Sequence, residues 1–147
     1  MEDKKQKTIK MMKRYKFNKQ SINNMKMELE ELRLGVDLYS SPLGNTSEGQ
    51  TSKVDGDEKV LSYLIRKEDL ENRIQMIQSE VDRVSNALAT LDECKCNILT
   101  LYYIEGHGME YIGYKTHYGK TWSFKLKEDA LEEAAISLWG RYEEEVG

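Results

Sequence analysis

A chain of 147 residues, 39% hydrophobic and 33% charged, suits one ordinary domain or two very small ones and is not composed like a disordered chain. No apolar run approaches the roughly 18 residues that cross a bilayer, the N-terminus holds no hydrophobic signal segment, and Cys94 and Cys96 cannot build a disulfide framework, so no membrane partner and a reducing cytoplasm are expected. The net charge of −4 hides an asymmetry: residues 1–26 carry nine lysines and arginines against two acids, a local +7, which leaves −11 for the other 121 residues. Such a basic end suits nucleic acid or an acidic partner, or is simply a solvated terminus.

One proline and abundant Glu, Lys, Leu and Met point to an all-α chain. From residue 7 to 34, Met11, Tyr15, Ile22, Met25, Leu29, Leu32 and Val36 fall on steps of three and four, with Asn18 filling one position. This is a heptad stripe on a long helix that Gly35 is expected to end. Residues 35–56 are rich in Gly, Ser, Thr and Asn, hold Pro42 and show no period, so a long loop is expected there. The cleanest period follows, from Asp57 to Asp92: Leu70, Ile74, Ile77, Val81, Val84, Leu88 and Leu91. A stripe this narrow must meet another helix, either the first one folded back as a hairpin or a second copy. Val60, Leu61, Leu64 and Ile65 leave room for a homodimer besides. Residues 1–91 thus form a coiled-coil or oligomerisation region, and 92–147 a second, small domain of short helices.

In that domain, helices are expected over 93–104, 109–116 and 120–139, with turns at Gly106-His107-Gly108 and His117-Tyr118-Gly119. Trp122, Leu126, Ala130, Ala134 and Leu138 read as the buried side of the last helix. Short helix, tight turn and longer helix outline a helix-turn-helix, whose second helix would enter the major groove of double-stranded DNA by its first turns. Lys120, Thr121, Phe124 and Lys125 are the expected base-edge contacts, with Tyr118 beside them in the turn and Lys127 and the N-terminal lysines on phosphate. Glu128, Asp129, Glu132 and Glu133 would repel phosphate further along.

The stretch Ala87-Leu88, Leu91, Ile98-Leu99, Leu101-Tyr102-Tyr103-Ile104-Glu105-Gly106, Glu110-Tyr111-Ile112-Gly113, Tyr118 to Lys127 and Ala130-Leu131 resembles phage transcriptional regulators of the ArpU/RinA type. Their C-terminal part is similar to region four of sigma factors. The basic first helix, the Ser-Pro-Leu-Gly linker and Leu61 to Ile74 fit the same pattern, so the likeness spans nearly the whole chain. It implies activation of phage late genes in a bacterial host cell, with possible contact to RNA polymerase. In that family Ala is usual at Gly113, Ser at Gly119, a β-branched residue at Ser123 and Arg near Lys125. Gly113 is therefore expected to weaken its helix by about 1 kcal/mol relative to Ala, Ser123 to loosen the helix pair, and Lys125 to lack the two-pronged guanine contact of Arg.

Other chemistry is thinly represented. Cys94 and Cys96 on a helix point about 200° apart and match no zinc spacing, so neither a metal site nor a cofactor is expected. No phosphate-binding glycine loop or nucleophile motif occurs, which argues against an enzyme. Tyr102, Tyr103, Tyr111, Tyr114 and Tyr118 could stack bases but read rather as core, Tyr118 being the exception. Two other readings stay open: a packaging component resembling a small terminase subunit, and a protein-interaction module with a vestigial helix-turn-helix.

Overall fold

The computed structural model describes residues 3–40 and 53–141, and for 37–40 and 53–55 the backbone alone. Within these residues the fold is all-α, without a strand: α1 Lys4–Ser40, α2 Lys53–Ala89, α3 Glu93–Leu99, α4 Met109–Thr116 and α5 Lys120–Trp139. After α3 the chain runs on through one wide π turn, Thr100–Ile104.

The expected stop at Gly35 is overturned. α1 continues to Ser40, and α2 begins at Lys53 rather than near Asp57. A glycine inside a helix costs about 1 kcal/mol relative to alanine but does not break the hydrogen-bond ladder, and Val36 carries the stripe past it. Of the 35–56 loop, what remains is 41–52, which lies outside the described residues together with Pro42.

Two compact units form, and the division falls inside both long helices rather than at residue 91: Gln20–Gln78 is one, and the residues up to Lys19 join those from Ser79 onward in the other. In the first unit, Ile22 and Leu70 are buried, and Met25, Leu29, Leu32, Val36, Tyr63, Ile74 and Ile77 are half-buried. The heptad positions of both helices thus do turn inward. Arg66 donates to both carboxylate oxygens of Glu28, at 2.8 and 3.2 Å.

The second unit has a deeper core. Met11, Met12, Val84, Ile98, Leu99, Tyr103, Met109, Ile112, Ala130, Leu131 and Ala134 form one buried cluster. Here the buried band of α1 is wider than a heptad seam. Met12 and Thr8 are inside as well as Met11, because several helices meet this segment. The buried Thr8 hydroxyl is satisfied on both sides: it donates to the Lys4 carbonyl at 2.8 Å and accepts from the Trp139 indole at 3.1 Å. The Tyr15 and Ser85 hydroxyls bond at 2.7 Å, and Asn18 donates to Glu80 at 2.9 Å, so the two segments run antiparallel. Arg14 holds the same Glu80 carboxylate and, with Asn18, lowers its pKa from the usual carboxylate value against the opposing effect of burial.

α5 departs from the expected phase. Its buried residues are Ser123, Lys127, Ala130, Leu131, Ala134 and Ala135, whereas Trp122 stands 51% exposed. Read backwards in steps of four from Leu131 and Ala135, the buried face passes through Lys127 and Ser123. Two polar residues inside disguise a stripe that the eye fills with the neighbouring tryptophan.

Candidate nucleic-acid interface

Local chemistry sets each turn around α4 and α5. Asp92 caps α3 by accepting from the Lys95 backbone N–H at 2.9 Å. The π turn closes with Glu105 N–H donating to the Thr100 carbonyl at 2.8 Å, and Gly106, at φ 80°, turns the chain out of it. α4 ends on His117 in the left-handed region at φ 64°, a helix stop usually given to glycine. Gly119, at φ 80° and ψ 164°, then starts α5 from a conformation open only to glycine.

The close approach between the two helices lies at Gly113. A Cβ there would stand 3.2 Å from the Gly119 carbonyl carbon and 3.3 Å from the Lys120 backbone nitrogen. The expectation that Gly113 merely weakens α4 is therefore incomplete: the turn packs against bare backbone that alanine would crowd. Ser123, one turn into α5, is 0% exposed, and its hydroxyl finds no hydrogen-bond partner. A small side chain there, like Gly113, allows close packing.

The residues expected at DNA fall into three situations. Thr121, Lys125 and Phe124 are exposed, Phe124 at 43%. At about 100° per residue, Thr121 and Lys125 occupy the middle of the face opposite the core, with Trp122 on one flank and Phe124 on the other. Lys120 is exposed beside Glu110, 3.8 Å away. Tyr118, Gly119, Lys120, Thr121, Trp122 and Lys125 line one open depression at this end of α5. The Lys125 ammonium lies 5.8 Å from the Trp122 ring centre.

Tyr118 is tied to α3, its hydroxyl 2.9 Å from the Cys94 sulfur; that bond pushes the Tyr118 hydroxyl up from its ordinary pKa. Lys127 departs from expectation. It is only 7% exposed, with its ammonium 4.5 Å from the Tyr102 ring, 5.4 Å from Phe124, 5.7 Å from Tyr103 and 3.3 Å from Glu128. The three rings solvate the ammonium and leave it turned inward, so it is a packing residue rather than a phosphate contact. Burial pushes the Tyr103 hydroxyl up to about 12, with Glu128 and Tyr102 adding to the effect.

Two of the five clustered tyrosines differ from the core reading: Tyr114 is 80% exposed and Tyr111 lies at the surface, as does Tyr118, the expected exception. Tyr111 stacks on His107 with ring centres 4.3 Å apart. Tyr103 is buried and Tyr102 half-buried, in an edge-to-face pair. Among the N-terminal basic residues, Lys7, Lys10, Lys13, Arg14, Lys16 and Lys19 are exposed, Lys7 lying 5.7 Å from the Trp139 ring. Sequence reasoning missed Trp122 as a surface residue, although the alanine-leucine pattern at 130–135 carries the correct phase. Among the described residues, no group of three or more His, Cys, Asp or Glu could hold a metal ion, and no helix is long and apolar enough to cross a membrane. No protein-family model, curated protein or solved structure matches the chain.

Proposed function

We propose that this chain binds double-stranded DNA through α4 and α5, as a transcriptional regulator of the phage late-gene activator type. The observation that carries the reading is the outward face of α5's first two turns. Thr121, Trp122, Phe124 and Lys125 stand exposed there, next to Lys120 and just beyond the tight turn that Gly113 and Gly119 permit. Residues 111–125 hold three lysines and no acid in a chain of net charge −4, a local charge suited to phosphate. The lysines along the first turns of α1 would add contacts that strengthen binding without reading sequence.

A homodimer belongs to the same reading, since Leu61, Leu64 and Ile65 stand exposed on α2 and two recognition helices can then meet neighbouring half-sites. Contact with RNA polymerase follows from the regulator type and rests on no further residue. The test is selection from random duplex DNA, for the wild type and Lys125→Glu, at about 50 and 200 mM salt. A motif enriched by the wild type and lost in the variant is the expected result. Binding without a motif moves the function to the basic N-terminal segment, and no binding at low salt overturns the proposal.

A further inference from the structure

The whole span from Met109 to Trp139 contains no Arg, Asn or Gln. Those are the side chains that grip guanine or adenine edges with two hydrogen bonds in the major groove. Lysine can reach guanine acceptors only as a point charge, and Glu128 and Asp129, one turn on, face phosphate repulsion. The exposed face is instead apolar around its charge. Trp122 and Phe124 flank Thr121 and Lys125, and Tyr118 joins Trp122 in the lining of the open depression. In the major groove of a duplex, the apolar feature that a base pair offers is the thymine C5-methyl group.

We propose that this surface reads thymine methyl groups, by contact with Trp122, the Thr121 methyl and Phe124, while Lys120 and Lys125 hold the adjoining phosphates. The inference rests on the duplex-binding reading and names what that site recognises. Two observations support the duplex as occupant: the acid-free run of three lysines over 111–125, and the exposed rings of Trp122 and Phe124 at the same end of α5 as Lys120 and Lys125.

The experiment compares the full chain on three duplexes of equal length: alternating A·T, the same with every thymine replaced by uracil, and alternating G·C. Uracil removes only the major-groove methyl and leaves the hydrogen-bonding edges and the minor groove as they were. Fluorescence anisotropy at two salt concentrations is expected to show the uracil duplex bound about fourfold more weakly for each methyl contacted, the ratio that burying one such group produces. The salt slope should be the same for both, because the phosphate contacts are unchanged. Trp122→Ala, at a half-exposed position whose truncation leaves the core intact, should bring the thymine and uracil duplexes together while keeping the salt slope. Far-UV circular dichroism checks that this variant is folded. Equal affinity for thymine and uracil duplexes, with binding still salt-dependent, overturns methyl reading and leaves the duplex proposal standing. Absence of binding to all three at low salt overturns both.

Discussion

The two units of this chain are built from the same two long helices, yet they bury their residues very differently. In the unit spanning Gln20–Gln78, Ile22 and Leu70 alone are fully enclosed among the described residues, while Met27, Val60, Leu61, Leu64, Ile65 and Met76 lie open. In the other unit, Ile98, Leu99, Ile112 and Ala130 are wholly inside. The difference is one of geometry. Two helices cover a single narrow seam on each other, whereas five helical segments surround a volume, and residues off the seam, such as Met12 and Thr8, are enclosed as well. A helix pair can thus keep its outer stripe for another partner, while the multi-helix unit can hold a turn rigid enough to present one helix end.

The largest effect that sharpens this comparison is cavity formation. Ile112→Ala should lower stability by about 2–5 kcal/mol, whereas Leu61→Ala, already exposed, should stay within about 0.5 kcal/mol in chemical denaturation. An equal cost at both sites would break the contrast.

Glycine substitutions should differ in sign between the units. Gly113→Ala forces a Cβ against backbone at 3.2 Å and should cost on the order of 1–3 kcal/mol. Gly35→Ala meets nothing within 4 Å in mid-helix and should add about 0.4–1 kcal/mol. Thermal unfolding of the pair reads both signs.

Two pH limits come from the multi-helix unit. Tyr103 has its pKa raised to about 12, so its contribution is fully present below the unfolded value near 10 and is lost as pH rises from there through about 12. Tyr103→Phe should flatten that alkaline loss in denaturation measured across pH. Glu80 has its pKa lowered, chiefly by Arg14, so its contribution is present above the unfolded value near 4.3 and disappears as pH falls through the lower folded value. Glu80→Gln should therefore be less stable than the wild type at neutral pH and converge with it in acid.

The smallest effect is expected at Glu28. Its pairing with Arg66 is open to solvent on both sides, and Glu28→Gln should shift the denaturation midpoint less than any of the variants above, and less still as salt is added.

Much of the fold was legible because heptad spacing survives burial. Tyr15, Asn18, Ile22 and Leu29 on α1, and the stripe from Leu70 to Leu88 on α2, turn inward as their period requires. The short helices 109–116 and 120–139 were legible from the glycines that bound them. Gly35 misled because a glycine marks a possible stop, and only the packing of Leu32 and Val36 decides whether the helix goes on. At the candidate interface, Lys120, Thr121, Phe124 and Lys125 are exposed as expected, but Lys127 and Trp122 exchanged places between surface and interior.

That exchange marks the boundary between the two kinds of information. Composition and periodicity by themselves determined an all-α chain, its long helices, its turns and its uneven charge, since these follow from local propensity and from which residues recur every three or four positions. Tertiary structure decided the phase of α5, the enclosure of Lys127 by three rings, the need for a bare backbone at Gly113 and the division of both long helices between two units. Each of these depends on what stands opposite a side chain: an aromatic box makes a buried lysine tolerable, and a neighbouring turn makes a missing Cβ necessary.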